Sequence, residues 1–178
     1  MKFFKKRSVA LILCVLVVIG STLWNTNRKL GGDCRDLGES FYARDGIASL
    51  LETLHVEADS LAAVAEANGI DANALRIASG NLQGMLSQRS TRIGSLFSYY
   101  DKLRGELRST EQKLLSTQLS EKDAEAVSSS LELIHNAQAA IGSSGYNAQV
   151  RAFLSDNNSL VTRVLAKLAG VSLPEEFA

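Results

Sequence analysis

From Val9 to Trp24 the chain is almost wholly apolar, and four cations, Lys2, Lys5, Lys6 and Arg7, stand before that run. Burying such a run in lipid is favourable and exposing it to water is not, so the chain works at a membrane or is exported across one. Val9, Leu11, Ile12, Leu13, Val15, Leu16, Val17, Val18 and Ile19 supply the apolar surface. Trp24 stands where an interfacial aromatic sits, with Arg28 and Lys29 beyond it. Counted from Ser8 the run is about 17 residues, short for a spanning helix and long for the core of a cleaved signal. Val18-Ile19-Gly20 is a weak cleavage site and no Ala-x-Ala stands near the end of the run, which favours a retained signal-anchor over a cleaved signal. Cys14, behind Leu13, comes too early for a lipid-attachment cysteine. The basic cluster is expected to stay in the cytoplasm and to send the rest of the chain to the periplasmic or extracellular side of a cell membrane.

Charge divides the chain at the same place. All 19 Asp+Glu follow Trp24, whereas only 15 of the 19 Lys+Arg do, so the outer part is about four charges negative with both signs interspersed. Such a surface favours solubility, and without a basic stripe or interleaved aromatics a nucleic-acid partner is not expected. Roughly 150 residues remain, enough for one domain with a core. Cys34 is alone in that part, so no internal disulfide can form and no paired metal spacing exists. It is either a free thiol beside Gly31-Gly32 or, in an oxidising envelope, half of an intermolecular Cys34–Cys34 bridge.

The outer part has the pattern of helix almost throughout. Its only proline is Pro174, and Ala, Leu, Glu, Gln, Arg and Lys dominate without the alternation of strands. Ile47, Leu50, Leu54, Leu61 and Val64 repeat at helical spacing up to Asn68-Gly69, a left-handed stop, after which Asp71 can cap. Leu75, Ala78, Leu82, Met85, Leu96, Tyr100, Leu103, Leu107 and Leu114 form a second stripe, whose phase shifts between Met85 and Leu96. That shift holds Arg89 and Arg92 and means either one long helix changing its buried face or two helices joined near Gly94. Ser120 with Asp123 opens a third helix bearing Val127, Leu131, Ile134, Ala137 and Ile141. After the break at Gly142–Gly145 a fourth carries Tyr146, Val150, Phe153, Leu160, Val164 and Leu168, closed by Gly170 and Pro174.

The expected fold is all-α: an N-terminal transmembrane helix followed by an elongated antiparallel four-helix bundle, because each stripe must be buried and the connections are short. Residues 1–7 form a cytoplasmic basic N-terminus, 8–27 the signal-anchor helix, 28–35 a juxtamembrane hinge, 36–170 the bundle and 171–178 a flexible tail.

No reaction centre is apparent. His55 and His135 are the only histidines and neither has a partner at metal-ligand spacing, so each is expected on a surface or boundary. Glu52 and Glu57 lack the Glu-x-x-His pairs of a di-iron bundle and belong to a solvated face. The Gly31-Gly32 and Gly142–Gly145 stretches are too short for phosphate loops, and no Gly-x-Ser-x-Gly elbow presents a nucleophile. No cofactor, no metal and no catalytic residue is expected.

Three stretches resemble the bacterial LemA family. Arg44-Asp45-Gly46-Ile47-Ala48-Ser49-Leu50-Leu51-Glu52-Thr53-Leu54 is similar to the family's Arg-Asp-Leu-Ile-Pro-Asn-Leu-Val-Glu-Thr-Val. Gly105-Glu106-Leu107-Arg108-Ser109-Thr110-Glu111-Gln112-Lys113-Leu114 resembles its Glu-Leu-x-x-Thr-Glu segment, and Tyr146-Asn147-Ala148-Gln149-Val150-Arg151-Ala152-Phe153 its Tyr-Asn-x-x-Val segment. The ending, a short apolar helix and a tail with Pro and Phe, is similar too. Ala48-Ser49 in place of Pro-Asn, and a longer stretch from about Ser116 to Gly145, make the resemblance one to a divergent member. It implies a membrane-anchored antiparallel helical bundle with no accepted catalytic residues.

Two functions fit. The first is a non-enzymatic envelope protein whose bundle binds another protein or itself, through a helix face or at one end, as an interaction or scaffold module. The second is a sensor-type bundle holding a small ligand, with Arg89 and Arg92 as candidates to grip an anion and a partner relaying its state.

Overall fold

The computed structural model describes residues 2–89 and 92–178, with the side chains of residues 2–9 excepted. The topology determinants Lys2, Lys5, Lys6 and Arg7, and Val9 of the anchor, therefore have side chains outside the described residues. Those residues form helices and no strand. The helices are α1 (Lys2–Phe41), α2 (Ile47–Ala67), α3 (Asn73–Ser87), α4 (Ile93–Leu115), α5 (Glu121–Ser143), α6 (Tyr146–Asp156) and α7 (Leu160–Leu168).

From Ala10 onward α1 is long and apolar enough to cross a membrane, and none of its apolar window is buried inside the protein. Leu11, Ile12, Leu13, Val15, Leu16, Val17, Val18, Ile19 and Trp24 are all exposed. The helix then runs without a break to Phe41. A hinge at 28–35 is thus replaced by helix: a glycine pair costs a helix only about 1 kcal/mol per residue, and Leu30 is buried on this stretch.

The stripes predicted for α2 to α5 make the core. Leu51, Leu54, Leu61, Leu75, Leu82, Leu96, Leu103, Leu114 and Ile134 are among its most deeply buried side chains. α2 packs against α3, α4 and α5, and α3 against α4. The stops are chemical. Gly69 takes φ +75°, which returns the Ile70 N–H to the Ala65 carbonyl at 2.9 Å and the Gly69 N–H to that of Glu66 at 3.0 Å. The Asp71 carboxylate accepts the Asn73 N–H at 3.0 Å ahead of α3, and the Ser120 hydroxyl accepts the Asp123 N–H at 3.2 Å at the start of α5.

The structure decides between the two readings of the second stripe, and one element differs from the pattern. The second stripe is two helices, and their junction lies before Gly94, where Arg89 at φ +43° ends the course of α3. The fourth helix is also two. Asn157 donates its side-chain amide to the Phe153 carbonyl at 2.9 Å and closes α6, and the Ser159 hydroxyl accepts the Thr162 N–H at 3.0 Å to begin α7. Both α6 and α7 lie against α1, forming a stalk beside the α2–α5 bundle. Leu160, Val164 and Leu168, expected in a core, are exposed there, and Ala166 is the buried residue of α7.

Candidate functional site

Stalk and bundle meet at the C-terminal end of α1, around an aromatic cluster. Phe41, the last residue of α1, is fully buried. Its ring centroid lies 5.2 Å from Tyr146 at the start of α6 and 5.6 Å from Phe177 in the tail. Phe177 also meets Phe97 at 5.3 Å and Tyr100 at 5.5 Å, both on the first turns of α4. These separations are those of favourable edge and tilted ring pairs.

The tail is fixed by polar bonds as well, so residues 171–178 are not loose. Asn147 binds Phe177 twice, its amide nitrogen donating to the Phe177 carbonyl at 2.8 Å and its oxygen accepting the Phe177 N–H at 2.7 Å. The Tyr146 hydroxyl donates to the Glu175 carbonyl at 3.1 Å. The Glu175 carboxylate accepts the Gly94 N–H at 3.0 Å, a cap supplied to α4 from 81 residues away. A carboxylate suits that place, since the first amides of a helix are unpaired and carry positive partial charge.

Gly46 completes the elbow between α1 and α2. A Cβ there would stand 2.4 Å from the Phe41 carbonyl oxygen and 2.5 Å from that of Ser40, closer than any side chain tolerates. Beside the elbow, residues of the first and third family-like stretches, Arg44 to Leu50 and Tyr146 to Gln149, line a cleft of about 450 Å³.

Between α1 and the tail lies a cavity of about 430 Å³, lined by Cys34, Arg35, Glu39, Tyr42, Arg89, Tyr146 and Leu173. Burial, followed by the neighbouring Glu175 and Tyr42, pushes the Tyr146 phenol up to about 12. Tyr42 is raised by burial, which Arg89 partly offsets. Burial and then the Asp33 charge raise the Cys34 thiol, which is half-buried and held in its less reactive protonated form. Of the two arginines in the phase shift, Arg89 lines this cavity and Arg92 is the residue before α4.

The two histidines have separate partners. His55 on α2 has its Nδ1 2.6 Å from the Ser79 hydroxyl and 3.8 Å from the Asp59 carboxylate. A Ser-His-Asp relay needs the hydroxyl and the carboxylate on opposite ring nitrogens, whereas here both approach Nδ1. Ser79 is also fully buried and donates to the His55 carbonyl at 3.3 Å, so this cluster ties α3 to α2. His135 Nε2 on α5 is 3.7 Å from the Glu111 carboxylate on α4. Glu52 is exposed and Glu57 half-exposed. Among the described residues no group of three or more His, Cys, Asp or Glu is placed to hold a metal ion.

A second concavity of about 600 Å³ opens beside the α4–α5 connection, lined by Leu114, Leu115, Leu119, Val127, Leu131 and His135. Phe177, Glu175, Asn147 and Gly46 escaped sequence reasoning. The Tyr146-Asn147 pair and an aromatic so near Pro174 were their only local signal.

No protein-family model, no curated protein and no solved structure matches the chain.

Proposed function

We propose that this is a divergent LemA-like, membrane-anchored protein of the bacterial cell envelope, non-enzymatic, whose helical domain serves as a protein-interaction or scaffold module. Its N-terminus faces the cytoplasm, and α2 to α5 form an antiparallel four-helix bundle on the periplasmic or extracellular side. The observation that carries the reading is the course of α1, whose bare apolar part continues as one helix into an aromatic junction with the bundle. A domain joined in this way is held at the membrane surface. The open apolar cleft beside the α4–α5 connection, with Leu115 exposed beside it, offers a place for a partner there.

A small-ligand sensor is the second reading, favoured by the cavity that brings Arg35 and Arg89 beside Tyr42 and Tyr146. Small anions would raise the melting temperature under that reading and leave it unchanged under the first.

Labelling tests the placement. Ser129 on α5 is exposed, so Ser129→Cys, with Cys14 and Cys34 replaced by Ser, gives one reactive thiol on the bundle. A membrane-impermeant maleimide is expected to label it in intact cells opened only at any outer barrier, and the label should stay in membranes washed with alkaline carbonate. Labelling only after lysis reverses the orientation, and label in the soluble fraction refutes the anchor.

A further inference from the structure

The outermost helix of the stalk turns its apolar side away from the protein. Ala166 on α7 is 2% exposed, whereas Leu160, Val161, Val164 and Leu168 are 79%, 64%, 49% and 66% exposed. At 100° per residue these four occupy one sector about 100° wide, opposite Thr162 and Ala166. Among the described residues no helix covers that sector, and scattered single leucines do not account for four on one face.

Its position says what covers it. Asn157, Thr162 and Leu165 share a cleft with Ser21, Asn25 and Lys29 of α1, and Val171 lies 3.5 Å from where a Cβ of Gly31 would stand. α7 therefore starts at the level of Trp24 and climbs alongside α1, away from the apolar run. That run covers only about 25 Å at 1.5 Å per residue, less than the ~30 Å of a hydrocarbon core. The boundary of the lipid then falls among the residues of α1 that α7 accompanies. The apolar face of α7 is thus continuous with the lipid-facing surface of α1, where Trp24 is itself exposed. The charged residues of α7 are Arg163 and Lys167, with no acid among its nine positions, as suits a surface of lipid phosphates.

We propose that α7 is an interfacial membrane helix. Leu160, Val161 and Val164 enter the boundary between headgroups and acyl chains, Leu168 stands farther out at the level of the headgroups, Arg163 and Lys167 meet lipid phosphates, and the α6–α7 hairpin braces the short anchor against tilting. The inference rests on the reading of α1 as an anchor, and its test separates the two.

Full-length protein with Cys14 and Cys34 replaced by Ser, carrying one fluorophore at Val164→Cys, Ser129→Cys or Val17→Cys, is reconstituted in vesicles of phosphatidylcholine and phosphatidylglycerol. Lipids bearing a spin-label quencher near the headgroup or deep in the chain are then added. The expected result is loss of most Val164→Cys emission to the shallow quencher, loss of Val17→Cys emission to the deep one, and no loss at Ser129→Cys. If Val17→Cys is quenched while Val164→Cys behaves as Ser129→Cys does, the anchor stands and the inference is overturned. A Val164→Cys probe that escapes both quenchers but shifts to the blue with rising protein density assigns the face to a second copy and also overturns it. An unquenched Val17→Cys removes the anchor and the inference together.

Discussion

The α2–α5 bundle and the α1–α6–α7 stalk are built from similar amphipathic helices, and they dispose of their apolar residues in opposite ways. In the bundle nearly every leucine of the predicted stripes is buried, so each helix is stabilised by its neighbours. In the stalk α1 and α7 leave most of theirs exposed, and the buried residues are few: Leu30, Phe41, Tyr146, Val150, Ala166 and Phe177. The bundle therefore carries its own stability. The stalk depends on the junction around Phe177 and, in our reading, on lipid.

The comparison predicts a graded set of effects. Leu103→Ala, which opens a cavity in the fully buried centre, is expected to destabilise the whole bundle by about 3 kcal/mol or more in chemical denaturation. Leu107→Ala is expected to cost nearly as much, and the half-buried Leu131 less. An equally large effect from Leu160→Ala in detergent would erase the distinction between the two regions, since an exposed position should change stability by no more than about 0.5 kcal/mol.

Phe177→Ala is expected to cost about 3 kcal/mol of local stability. The loss should be confined to the junction, so that amides of α6, α7 and the first turn of α4 exchange faster while those of α2 and α5 keep their protection. Uniform acceleration would merge stalk and bundle into one cooperative unit. Gly46→Ala should follow at about 2 kcal/mol, because the carbonyls of Phe41 and Ser40 must move to admit a methyl group.

The junction also carries a pH signature. The folded state holds the Tyr146 proton up to about 12, whereas an unfolded tyrosine loses it near 10. Its contribution is fully present below pH 10 and is lost as the pH rises through 10 to 12, since only the unfolded chain ionises there. Tyr146→Phe is expected to flatten part of that decline in pH-dependent melting, Tyr42 and Tyr100 supplying the remainder because burial raises them too. The smallest effects belong to the histidines. His135→Ala should change stability by no more than about 0.5 kcal/mol, and His55→Ala by about 1 kcal/mol through its bond to Ser79.

The stripes of α2 to α5 were legible in the sequence because their signals are local, although the expected bundle over 36–170 also took in α6 and α7, which pack on α1. Leu–Leu spacings mark the stripes, Asn68-Gly69 marks a stop, and Ser120 with Asp123 marks a start. The junction was not, because it joins residues about a hundred positions apart: nothing near Glu175 says that its carboxylate caps Gly94, and nothing near Phe177 names Phe41 as a neighbour. The split of the last helix does have a local signal. Asn157-Asn158-Ser159 followed by Thr162 is a stop and a cap, yet the apolar spacing from Phe153 to Leu168 masked it. The same spacing led Leu160 and Val164 into a core they do not join. Continuity of α1 through Gly31-Gly32 was hidden for a different reason, since weak helix formers stay helical when neighbouring helices pack on them.

That continuity is the centre of the account, and one distance tests it. A methyl group at Gly20 or Gly38 meets nothing within 4 Å, so cysteines there can carry spin labels without disturbing the helix. The two positions are 18 residues apart on the same face, about 27 Å along an unbroken α-helix at 1.5 Å per residue. With the native cysteines replaced by Ser and the protein in bilayers, pulsed electron–electron resonance should return one narrow distribution near that length. A broad distribution reaching well below it would place a hinge between membrane and bundle and contradict a rigid stalk.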